Sequence, residues 1–303
     1  MKAIALKLLE YDSYNIKRAI GILMELGKVR ITFFVAFSTA IGFILASGSI
    51  SGNIIIPTLG VFILACGSSA MNHYQERKSD ALMERTKQRP LPSGAIKPKH
   101  ALIIVFTFLA LGLMLIYVSS NFTAMLLGVL AVLWYNAFYT PLKKVTPLAV
   151  VPGALIGAIP PIIGWVAGGG SVFDKEIFAV ALFFFIWQIP HFWLLLLIYS
   201  RDYESAGFPT LTRLFNMDQL SRITFIWIAA LAVSCLLIPL SGVVHNLYIN
   251  ILLLISGLWL LWKSRNLIFK GSERRVYRYA FRDINNYVLF VTVVLALNKI
   301  INI

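Results

Sequence analysis

Long uninterrupted apolar runs separated by short polar connections dominate this chain. The runs last about 20 residues, the length an α-helix needs to cross a bilayer, and do not alternate as strands of a membrane barrel would. They predict nine spans, at 31–49, 53–71, 101–119, 122–139, 148–168, 177–199, 223–241, 244–262 and 284–301. The connections alternate in character. ASGSISGN, SSNF, GGGSVFDKE and LSGVVHN are nearly uncharged, whereas the others are basic. Of 27 Lys and Arg residues, all but Lys175 and Lys299 fall on the basic side. Such a bias marks the cytoplasmic face, so the N-terminus is expected inside and the C-terminus outside. The reading is an all-α polytopic membrane protein with one domain over 1–303, in which 1–30 is a cytoplasmic amphipathic N-terminal segment.

Composition sharpens this picture. Hydrophobic residues make up 59% of the chain and charged ones 13%, a balance foreign to soluble domains. The net charge of +14 sits in connections between spans, which argues for membrane topology or anionic ligands and against nucleic acid. Two basic segments, YNIKRAIGILMELGKVR and SRNLIFKGSERRVYRYAFRD, mix cations with apolar residues and are expected to lie at the membrane surface. Cys66 and Cys235 sit inside apolar runs, as buried small residues do. The N-terminus shows neither a cleavable signal nor a transit peptide, which leans toward a bacterial inner membrane.

One stretch does not fit topology alone. After the second run comes NHYQERKSDALMERTKQRPLPSG, in which Asn72, Glu76 and Asp80 are spaced i, i+4, i+8. Each step on a helix turns about 40° beyond a full circle, so the three oxygen-bearing side chains share one stripe. Such a stripe beside Arg and Lys suits Mg2+, which takes one or two carboxylates together with substrate phosphates. The alternative is a solvated loop that sets topology, although this gives the acids no role. A second acidic pair, Asp202 and Glu204, follows the sixth run, where Asp202 could face the first site or pair with Arg201. Pro160 and Pro161 are expected to break the fifth span at a cavity, and Pro190 to kink the sixth. Gly153 and Gly157 form a GxxxG suited to close packing. His73 is expected to be solvated, and His191 either to be hydrogen-bonded within the bundle or to contact a ligand.

Several segments together resemble one family. The Asn72–Glu76–Asp80 stripe runs into DALMERTKQRPLPSG, followed by YTPLKKVTP at 139–147, PGALIGAIPPIIGW at 152–165 and WQIPHFWLLLLIYSRDYESAGFP at 187–209. These are similar to motifs of the UbiA superfamily of membrane prenyltransferases, within it the branch that farnesylates haem. Glu76 stands where the superfamily commonly has Asp, and Ile198 stands four residues before Asp202, where other branches carry a second acid.

The resemblance implies a nine-helix bundle around a central cavity open near the cytoplasmic face. It implies Mg2+-assisted transfer of farnesyl from farnesyl diphosphate to a vinyl group of haem B, with water adding to give haem O. Other acceptors, a quinone precursor or a lipid headgroup, are the alternative. By the same resemblance Asn72, Glu76, Asp80 and Asp202 would hold Mg2+–diphosphate. Arg30, Arg85, Arg89, Lys143 and Lys144 would bind phosphate oxygens. His191, Trp187, Tyr139 and Tyr203 would serve the haem side. A haem A synthase or a second copy of the chain are the implied protein partners.

Overall fold

The computed structural model describes residues 16–270 and 274–301. Among these the regular elements are helical. Helix α1 (16–26) leads through a two-residue turn into α2 (Val29–Ser47). There follow α3 (Ile55–Asp80), α4 (Pro98–Ser119) and α5 (Phe122–Val132), the last continuing as a π-helix over Leu133–Tyr139. A short turn at Val150–Gly153 precedes α6 (Leu155–Ala167). The remaining helices are α7 (Lys175–Ile198), α8 (Met217–Leu240), α9 (Leu247–Ser264) and α10 (Arg274–Ile301). Among the described residues nine helical stretches are long and apolar enough to cross a membrane, in agreement with the pattern.

Small residues set the packing. A Cβ on Gly112 of α4 would lie 2.6 Å from the Leu64 backbone nitrogen of α3, so the two helices run in near-backbone contact. On α6, a side chain at Gly164 would overlap the Thr39 carbonyl of α2, and one at Gly42 of α2 would overlap the Pro161 carbonyl. Without a hydrophobic driving force between helices in lipid, such close approach supplies the van der Waals contact that holds a bundle together. The larger core lies among α7, α8 and α10, around Phe183, Leu194, Ile228, Leu231 and Tyr287. Phe33, Phe106, Leu133 and Trp262 project outward, as lipid-facing side chains do.

The structure differs from the sequence reading in three places. Pro160 and Pro161 lie inside a continuous α6. The break falls earlier, at Ala154, between the short helix Val150–Gly153 and α6. The basic segment before the last span is divided between a separate short helix over Asn266–Lys270 and the first turns of the last helix. Helix α10 carries its latter part, burying Val276, Tyr277 and Ala280 while Arg275, Arg278 and Arg282 point outward. Helix α1 is anchored rather than merely adsorbed: Leu26 is fully buried against Ala70, Leu91, Ala101 and Val105. The first half of the amphipathic 1–30 segment lies outside the described residues.

Candidate active site

Helix α3 does not stop at the end of its apolar run. It continues nine residues further, to Asp80, carrying the polar stripe inside the bundle. Asn72, Glu76 and Asp80 are 2%, 5% and 1% exposed. Burying carboxylates requires charge partners, and both have one. Arg89 meets Asp80 at 2.8 Å and Lys143 meets Glu76 at 2.6 Å.

The partners arrive by three local devices. The loop after α3 folds back because Thr86 donates to the Asp80 carbonyl at 2.8 Å and Met83 and Leu91 are buried beneath it. This return brings Arg89 beside Asp80. Lys143 comes from the turn after the π-helix, whose wide coil is pinned by Asn136. The Asn136 amide donates to the Ser68 carbonyl at 3.0 Å, and Ser68 donates to its Oδ1 at 2.6 Å. The π-helix also sets Tyr135 and Tyr139 parallel, 6.0 Å apart. Tyr139 fits there because Gly153 leaves room for its ring. The third device is the α1–α2 turn. Lys28 has φ 47° and ψ 48°, a left-handed conformation that costs a non-glycine residue about 1–2 kcal/mol. It turns the side chain inward, where Nζ donates to Asn72 Oδ1 at 3.2 Å. Asn72 in turn donates to Thr140 at 3.2 Å. Burial pulls the Lys28 ammonium down to about 7, with Arg89 and Lys143 adding to the effect and Glu76 and Asp80 opposing it.

These groups line one cavity of about 790 Å3. Five cations, Lys28, Arg30, Arg85, Arg89 and Lys143, share its wall with three carboxylates, Glu25, Glu76 and Asp80. Its deeper wall is apolar, formed in part by Val61, Leu64, Val132 and Ile163. A positive mouth over an apolar chamber suits an amphiphile with an anionic head. His73, expected in solvent, is instead 1% exposed and lines the cavity, with neither ring nitrogen hydrogen-bonded among the described residues.

Of the residues singled out in the sequence, Arg30, Asn72, Glu76, Asp80, Arg85, Arg89, Tyr139, Lys143 and Tyr203 line this cavity. Lys144 is exposed and, like Trp187, His191 and Asp202, is not part of the wall. Asp202 of the second acidic pair is thus not among the residues that line the cavity with Glu76 and Asp80. Helix α7 ends at Ile198, and the chain restarts as a short helix over Ser200–Ser205 that presents Tyr203 to the cavity. Asp202 is the neighbouring residue, about 100° away around that helix. It is half-buried, and its carboxylate makes no ion pair among the described residues, with Arg201 or otherwise. Glu204 braces the loop by accepting from Thr210 at 3.1 Å and Thr212 at 2.7 Å. Lys28 and Thr140 were missed. Lys28 looked like one more cation of a surface segment, and only its backbone conformation sends it inward.

A family model for the UbiA prenyltransferase family matches residues 35–285. The chain belongs to that family. As a UbiA family member it is a prenyl-transferring membrane enzyme. It is 39% identical to a protoheme IX farnesyltransferase of Geobacter sulfurreducens over 72% of this chain and 81% of that protein. It is 34% identical to one of Aquifex aeolicus, over 91% of this chain and 95% of the relative. Among solved structures, one of a digeranylgeranylglyceryl phosphate synthase superposes with a TM-score of 0.75 at 17% identity, covering 93% of this chain and 98% of that one. A UbiA homologue of Archaeoglobus fulgidus bound to GPP and Mg2+ superposes with a TM-score of 0.63 at 17% identity, covering 90% and 99%. These two likenesses bear on the fold alone.

Proposed function

We propose that this UbiA family member transfers a farnesyl group from farnesyl diphosphate to a vinyl group of haem B, yielding haem O and diphosphate. The observation that carries the reading is the cavity itself, a cation-rich mouth with buried carboxylates above an apolar chamber. The acceptor is inferred from relatives named protoheme IX farnesyltransferase that match over most of their length.

The chemistry follows from the mouth. An allylic C–O bond breaks heterolytically only if the departing diphosphate, which takes the electron pair, is neutralised where it forms. Lys28, Arg85, Arg89 and Lys143 line the cavity and would surround that position. Arg89 and Lys143 now rest on Asp80 and Glu76. A diphosphate would draw them away and leave the carboxylates for a divalent ion. Asn72, Glu76 and Asp80 offer hard oxygen donors on one stripe, a donor set that fits Mg2+, and these residues would hold it. When bound, Mg2+ supplies further neutralisation of the leaving group. The rings of Tyr135 and Tyr139 can stabilise the allylic cation by about 0.5–2 kcal/mol each. The apolar chamber keeps bulk water from it. The vinyl group attacks C1 of the farnesyl cation, forming the C–C bond, and the positive charge moves to the carbon next to the porphyrin. Water adds there and releases a proton, so haem B, farnesyl diphosphate and water give haem O, diphosphate and a proton. We place the basic rim, with its excess of Lys and Arg, at the cytoplasmic face of a bacterial inner membrane.

The test is to incubate the purified full chain in detergent with Mg2+, farnesyl diphosphate and haem B and to analyse porphyrins by mass. Haem O is expected. Prenylation of a quinone precursor or lipid headgroup with haem left untouched would overturn the acceptor assignment while leaving prenyl transfer in place.

A further inference from the structure

His191 lies beside the cavity rather than in it. The stripe of α7 that faces the cavity is Gln188, Phe192, Leu195 and Leu196. His191 is on the adjoining face toward α10, in contact with the rings of Trp187 at 4.9 Å and Phe281 at 4.8 Å. Its Nδ1 is 2.8 Å from Oδ1 of Asn285 on α10. The same oxygen lies 3.2 Å from Trp187 Nε1, and the Asn285 amide nitrogen lies 2.6 Å from the Phe281 carbonyl.

This small network fixes a tautomer. An indole N–H can only donate and a backbone carbonyl can only accept. Trp187 and Phe281 therefore independently require the same orientation of the Asn285 amide, with Oδ1 toward Trp187 and His191. Because Oδ1 can only accept, His191 Nδ1 must carry the proton. Both lone pairs of Oδ1 are then engaged, and the Trp187 and His191 N–H groups and one Asn285 amide N–H are spent inside the network. What remains on the imidazole is the lone pair of Nε2, which has no hydrogen-bond partner among the described residues, on a half-buried ring. A neutral imidazole with one nitrogen tied down and the other free is the arrangement of a metal-ligating histidine and its outer partner.

We propose that Asn285 is a positioning residue that holds His191 as the Nδ1–H tautomer, and that His191 Nε2 binds the iron of the porphyrin acceptor. The proposal rests on haem being the acceptor. It puts the acceptor on the α7–α10 flank, next to Phe192, which both lines the prenyl cavity and contacts Tyr139 at 6.1 Å. The iron anchors the ring while a vinyl edge reaches the cavity. No bond is made or broken at His191.

The test uses the full chain in detergent, titrated with ferric protohaem and with iron-free protoporphyrin IX, and read by absorption and electron paramagnetic resonance. The wild type is expected to give a histidine-ligated spectrum and to prefer haem over the iron-free ring. His191→Gly should lose that signature and regain it with added imidazole, which a merely structural role would not produce. Asn285→Leu should weaken haem binding about 10–100-fold. Both variants should bind farnesyl diphosphate like the wild type, which also shows that they are folded. A wild-type spectrum in His191→Gly, or equal affinity for haem and the iron-free ring, overturns the ligation even if haem O still forms. A His191-dependent spectrum with no farnesylated porphyrin upholds the ligation and overturns the transfer reaction instead.

Discussion

Two segments at the basic rim carry closely spaced acids, Glu76 and Asp80 four residues apart and Asp202 and Glu204 two apart, and they do different work. At the end of α3, Glu76 and Asp80 are buried and each is paired with a cation contributed by another segment. In the loop after α7, Asp202 is half-buried and unpaired among the described residues, while Glu204 is occupied by two threonine hydroxyls. Stripping water from two charges costs several kcal/mol per ion, and breaking a buried pair costs about 3–5 kcal/mol. An exposed pair is worth roughly 0–1 kcal/mol. Local sequence is therefore a poor guide to which acids are poised for chemistry. The distinction lies in whether distant cations arrive.

That contrast can be broken or sharpened by substitution. Asp80→Asn should have the largest effect, lowering turnover about 10²–10³-fold, as loss of a charge stabilising the reacting group does. Initial rates of prenylated product at saturating farnesyl diphosphate measure it. Lys143→Met should raise KM for farnesyl diphosphate by about 10–100-fold, the 1.5–3 kcal/mol of a hydrogen bond to a charged group. It should also lower the melting temperature, because Glu76 is left buried and unpaired. Lys28→Met should raise the same KM about tenfold, with a milder loss of stability because Asn72 is neutral and keeps Thr140 as its partner. Asp202→Asn should be the smallest, changing kcat and KM by no more than about threefold, as substitutions outside packed or paired sites do. A loss at Asp202 comparable to that at Asp80 would show that the two rims act as one site.

Much of the architecture was legible because lipid imposes a simple code. Apolar runs of fixed length gave the number of spans. The stripe of Asn72, Glu76 and Asp80 was legible too, because helical spacing relates side chains that sit on one element. What escaped was whatever depends on backbone departures from ideal geometry. The left-handed turn at Lys28 makes a surface-looking cation into a cavity ligand. The continuation of α3 past its apolar run buries His73. The break at Ile198 sends Tyr203 rather than Asp202 inward. Nor could spacing relate Trp187 and His191 to Asn285, about a hundred residues further along the chain, since only tertiary packing of α7 against α10 brings them together.

The wide coil at Leu133–Tyr139 acts as a phase shifter. It holds one residue per turn more than ordinary pitch accommodates, so whatever follows is rotated relative to α5. Winding the same seven residues at ordinary pitch would swing Tyr139, Thr140 and Lys143 by roughly 100°. The enzyme would lose the ammonium opposite Glu76 with every signature residue intact, a lesion that inspection of motifs alone would pass over.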